Sequence, residues 1–64
     1  MLKVARFNLY NAGTDRLYTF GENSDGTMTV RKFERNRLVE ETRRPRAKCR
    51  SLWAWLEKQG YKRV

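Results

Sequence analysis

From Ala5 to Tyr10 the chain alternates: Ala5, Phe7 and Leu9 fall on one phase, and Arg6, Asn8 and Tyr10 on the other. A period of two marks a strand that buries one face. Leu2 and Val4 have the opposite phase, which a bulge near Val4-Ala5 would reconcile, so a first strand is predicted over about residues 2–10. Asn11-Ala12-Gly13-Thr14-Asp15 tolerates positive φ and predicts a hairpin loop into a second strand, about 16–22. Asn23-Ser24-Asp25-Gly26 then sets Asp-Gly between two β-rich runs, and a third strand continues over about 27–34. Arg37-Leu38-Val39-Glu40-Glu41-Thr42 reads as a fourth strand, about 37–43, after a tight turn at Asn36, with an irregular connection as the alternative.

After Pro45 the apolar spacing changes to that of a helix. Proline suits the first helical position, where its missing N–H costs nothing, and Gly60 is a natural stop, so the helix is predicted over about 45–59. On a helical wheel Leu52, Trp53 and Leu56 lie within about 60° of Cys49, with Arg46, Arg50 and Glu57 on one flank. Trp55 falls outside the stripe, on the side of Lys48 and Gln59. The basic tail Tyr61-Lys62-Arg63-Val64 either pairs at a sheet edge or stays loose. The expected fold is α+β: a three- to four-stranded antiparallel β-meander packed against one C-terminal α-helix, in a single domain spanning 1–64.

Composition narrows what such a domain can do. With 64 residues, 39% of them apolar, the chain can build one small core. Such a core seldom supplies more than ~3–5 kcal/mol, which leaves room for a homodimer or a bound partner to add stability. Cys49 stands alone and histidine is absent, which excludes an internal disulfide and the common zinc sites; neither metal nor cofactor is expected. A reducing, cytoplasmic location follows as the expectation, nucleoid-associated in a bacterium, and no apolar run is long enough to cross a membrane. Cys49 on an apolar stripe reads as a small buried hydrophobe rather than a nucleophile. Glu40 and Glu41 are adjacent and point to opposite faces of a strand, so they cannot act as an acid pair, and no enzyme is expected.

Charge points elsewhere. The net charge is +8, and the residues after position 32 carry ten basic against four acidic side chains. That asymmetry is the footprint of a polyanion partner, and the excess of Arg over Lys favours bidentate pairing with phosphate. Five of the eight residues from Arg43 to Arg50 are basic: Arg43, Arg44, Arg46, Lys48 and Arg50. At a helix N-terminus, with its partial positive charge and free N–H groups, they have the wrong sign for helix stability and the right surroundings for an anion. These five are the predicted phosphate contacts, with Arg31 and Lys32 as secondary contributors from the third strand. Trp55 is a boundary residue, a base-stacking platform or a dimer contact. Tyr10, Tyr18 and Phe20, interleaved with Arg6, Arg16 and Arg31 on a sheet face free of the helix, would form a second stacking surface, but the strand phase does not decide which way they point. The expected partner is nucleic acid, DNA rather than RNA; the alternative is an acidic surface on a protein partner. The order of elements is similar to that of the arm-type DNA-binding domains of tyrosine recombinases, three strands and a helix, and no residue role is assigned on that basis.

Overall fold

The structure is a computed structural model that describes residues 6–64. The start of the first strand, with Leu2, Val4 and the bulge expected between Val4 and Ala5, lies outside the described residues. Four strands follow in meander order: β1 (Arg6–Asn11), β2 (Arg16–Glu22), β3 (Thr27–Glu34) and β4 (Arg37–Pro45). Helix α1 (Arg46–Lys58) then crosses the sheet, and the tail adds a two-residue strand, β5 (Lys62–Arg63), beside β1. All pairings are antiparallel and the sheet order is β4-β3-β2-β1-β5. The α+β meander with a C-terminal helix is therefore present, and the basic tail extends it to five strands.

Each connection is written in its turn residues. Arg35 and Asn36 both adopt left-handed φ (52° and 64°), the pair of values that a two-residue hairpin between twisted strands requires. In the β2–β3 loop Gly26 has φ 87°, while the Asp25 carboxylate accepts from the Thr27 N–H at 3.0 Å and its hydroxyl at 2.6 Å. Gly60, at φ 96°, closes α1: its N–H bonds the Glu57 carbonyl and the Tyr61 N–H bonds the Leu56 carbonyl, the paired bonds of a Schellman stop. Asn11 fastens this end to the sheet by donating to the Gln59 carbonyl at 3.2 Å.

The start of α1 differs from expectation. Pro45 is the last residue of β4 and the helix N-cap (φ −58°, ψ 148°), not the first helical residue, and the helix begins at Arg46. The extended ψ lets Pro45 stay in register opposite Thr27 before the chain turns. A proline cannot cap through its side chain, and no acidic residue stands in the first turn.

Helix and sheet enclose one core of Leu9, Phe20, Met28, Val30, Cys49, Leu56 and Tyr61, with Phe7, Tyr18, Leu52 and Trp53 packed around it. Burying a side chain such as Leu9, Phe20 or Leu56 contributes about 1.5–3 kcal/mol. Phe7 lies parallel to Phe20 at 4.9 Å, and Trp53 meets both edge-on at 4.5 and 5.7 Å. The stripe Cys49, Leu52, Trp53 and Leu56 thus faces the sheet as its spacing predicted. No helix among the described residues is long and apolar enough to cross a membrane.

Candidate nucleic-acid interface

The register of the sheet sorts every strand residue onto one of two faces. Phe7, Leu9, Tyr18, Phe20, Met28 and Val30 point towards α1, so their neighbours in each strand form the uncovered face. This decides the facing that the strand phase left open, against a stacking surface built on Tyr18 and Phe20: Phe20 is buried under the helix, and Tyr18 packs edge-on against Tyr61 at 5.5 Å. Apolar side chains occur on both phases of β2, since Leu17 alternates with Tyr18, so periodicity alone was blind to the choice. Tyr10 does lie on the uncovered face, where its hydroxyl donates to Asp15 at 2.9 Å.

Three rows of side chains cross that face. Tyr10, Leu17, Phe33 and Leu38 stand opposite one another and form an apolar row. Asn8, Thr19, Arg31 and Glu41 form the next. The third runs through Gly21, Thr29 and Arg43. Because Gly21 has no side chain, the middle of the face is hollow; a cavity of about 480 Å³ there is lined by Asn8, Thr19, Thr29, Arg31 and Phe33 among others. Among the described residues a Cβ at Gly21 would meet nothing within 4 Å.

The polar groups around the hollow are held in place. Asn23 and Thr29 hydrogen-bond each other, with the Asn23 amide donating at 3.0 Å. Arg31 donates through Nε to Glu41 at 2.6 Å. That contact fixes one edge of a half-exposed planar guanidinium and, among the described residues, leaves its terminal nitrogens without a partner, so that they can pair with two oxygens of a phosphate. Arg43 reaches Asp25 at 4.0 Å through one terminal nitrogen and is otherwise open to solvent. The Asp25 carboxyl is held below its ordinary range first by the Thr27 hydroxyl, then by the Thr27 N–H, with the nearby Arg43 charge adding to both.

The predicted basic cluster divides between faces. Arg31 and Arg43 share the uncovered face; Arg44, next in the strand, points to the helix side and donates to the Thr42 hydroxyl at 3.4 Å. Lys32 also lies on the helix side, paired with Glu34 at 3.6 Å and 6.0 Å from the Tyr18 ring centre. Arg46 is tied to Glu22 at 3.1 Å. Lys48 and Arg50 are exposed on opposite flanks of α1, separated by about 200° on the wheel. Trp55 is 54% exposed beside the Lys48 flank.

Other candidates emerge only from the pairing. Asn8, Thr19 and Thr29 join Arg31 and Arg43 because register sets them side by side, and Lys62 arrives opposite Tyr10 when the tail pairs. Alternation hinted at the first three; the last depends on a contact between chain ends. Around the hairpin tip, Arg35 and Arg37 line a second hollow with Arg16, whose own charge is met by Glu34 at 3.5 Å. Among the described residues no group of three metal-ligating side chains converges. No protein family, curated protein or solved structure matches the chain.

Proposed function

We propose that the protein binds nucleic acid, DNA in preference to RNA, laying the uncovered sheet face and the adjoining β4–α1 corner along the phosphate backbone. The observation that carries this reading is the hollow at Gly21: a polar floor of Asn8, Thr19 and Thr29 lined also by Arg31, with Arg43 opposite Thr29 in the sheet, and among the described residues both guanidiniums keep nitrogens without a partner. Neutral amides and hydroxyls reach phosphate oxygens or base edges, and the arginines supply charge. Arg46, Lys48 and Arg50 extend the positive surface around the corner, and Arg44 contributes field from the far side.

The apolar row Tyr10, Leu17, Phe33 and Leu38 favours a second reading, in which the same face grips an acidic protein surface with an apolar patch. A fluorescence titration at about 150 mM salt separates the two. Exposed Trp55 and packed Trp53 provide the signal, and single-stranded DNA, duplex DNA and single-stranded RNA of one sequence are compared. Saturable binding that Arg31→Ala and Arg43→Ala weaken supports the proposal. Weak, unsaturable titration with all three nucleic acids removes it and leaves the protein partner.

A further inference from the structure

Strand β4 forms one edge of the sheet, and among the described residues nothing pairs with its outer side. It is nine residues long, whereas the opposite edge is the two-residue β5. A long open edge exposes a row of backbone donors and acceptors and is a template for another strand. Leu38 and Val39, each 48% exposed, lie on it.

The sequence along that edge reads Glu40-Glu41-Thr42-Arg43-Arg44. It is antisymmetric in charge about Thr42. When a strand meets a second copy of itself antiparallel and centred on Thr42, Glu40 stands opposite Arg44 of the second copy and Glu41 opposite Arg43. Each pair occurs twice by symmetry. The pairs also match by face: Glu40, Thr42 and Arg44 lie on the helix side, opposite Lys32, Val30 and Met28, while Glu41 and Arg43 lie on the uncovered side. Centring on Glu41 or Arg43 instead would set like charges against each other, and centring on Val39 would oppose Arg37 to Glu41 but fall on the irregular stretch of the strand, so the Thr42 register is the one that pairs both acids with both arginines. Within one chain Arg44 and Glu40 have no ion pair among the described residues, and Glu40 to Pro45 run in regular register beyond the bulge near Lys32 and Phe33.

We infer that the partner of this edge is a second copy of the chain: β4 pairs with β4 about a two-fold axis through Thr42, joining two five-stranded sheets into one with both helices on the same side. The register brings Val39 opposite Pro45 of the second copy, covering apolar surface at each end. It also carries the two uncovered faces, with their Arg31 and Arg43, into one continuous surface. The inference stands apart from nucleic-acid binding, because the complementarity is internal to β4.

Sedimentation velocity on the full chain without nucleic acid, from about 1 μM to about 1 mM, tests it. The wild type is expected to form a reversible dimer of twice the 7.7 kDa chain mass. The double variant Glu40→Arg/Glu41→Arg makes every cross-pair repulsive and should associate at least about tenfold more weakly. The fourfold swap Glu40→Arg/Glu41→Arg/Arg43→Glu/Arg44→Glu keeps the net charge and restores complementarity with the signs reversed, so it should dimerise again. Recovery in the swap also controls for any loss of folding in the double variant. A wild type monomeric throughout the range overturns the inference. So does a dimer that the double variant leaves intact, or a swap that stays monomeric while folded by circular dichroism.

Discussion

At the scale of single residues, two side chains tie loop geometry to pH. Asp25 holds the β2–β3 turn as a carboxylate, accepting from Thr27 twice, and its pKa is lowered from the ordinary 3.8. A lowered folded-state pKa means that the stabilisation is complete above the unfolded value and lost as pH falls through the folded one. Denaturant unfolding should therefore show the gap between wild type and Asp25→Ala narrowing as pH is taken from about 5 to about 2. A gap constant over that interval would mean that the charge on Asp25 adds nothing. Tyr10 has the opposite sign: its hydroxyl donates to Asp15, which raises its pKa above the ordinary 10.0. That contact is retained below the unfolded value and lost as pH rises through the folded one, so spectrophotometric titration of Tyr10→Phe should lose a tyrosine that ionises above the ordinary range in the wild type.

At the scale of elements, the first turn of α1 sets function against stability. It contains Arg46, Ala47 and Lys48, with no acidic residue and no side-chain cap. An acid there would suit the helix dipole, so Ala47→Glu is expected to raise stability by about 0.5 kcal/mol while weakening duplex DNA binding several-fold. Denaturant midpoints and a binding isotherm on the same variant check both, and a gain in stability with unchanged affinity would detach the corner from the interface. Gly21 makes the same contrast within β2. With free space around its Cβ among the described residues and no positive φ, Gly21→Val should stabilise the strand by about 0.5–1 kcal/mol and, by filling the hollow, lower affinity about tenfold. These two elements also show what the chain discloses. β4 runs on to Pro45, two residues beyond its expected end, but the order of strands and helix, the turns and the apolar stripe of α1 follow from local chemistry and were legible. The facing of Tyr18 and Phe20 was not, because Leu17 made both phases of β2 apolar, and the pairing of Lys62 and Arg63 with β1 joins residues far apart in sequence. The hollow at Gly21 was equally hidden, since its lining comes from three strands whose mutual register depends on turn geometry.

At the scale of the whole molecule, the net charge of +8 ensures that any polyanion is attracted, so affinity alone says little about where it sits. Salt dependence is more informative, because each phosphate neutralised on duplex DNA contributes about 0.9 to the slope of log K against log salt. Five contacts would give about −4.5, the value expected if the sheet face and the corner act together. The faces of β4 make the slope diagnostic residue by residue. Arg43 and Arg44 are neighbours in sequence with the same charge, but Arg43 shares the uncovered face with Arg31 and Arg44 turns to the helix side. Under a long-range field the two would be equivalent, and replacing either by Ala would lower affinity alike without changing the slope much. With direct contact on the uncovered face, Arg31→Ala and Arg43→Ala should each flatten the slope by about 0.9, and Arg44→Ala should leave it unchanged. Binding isotherms at four or more salt concentrations distinguish these outcomes, and equal slopes for Arg43→Ala and Arg44→Ala would show that the sheet face does not hold the backbone.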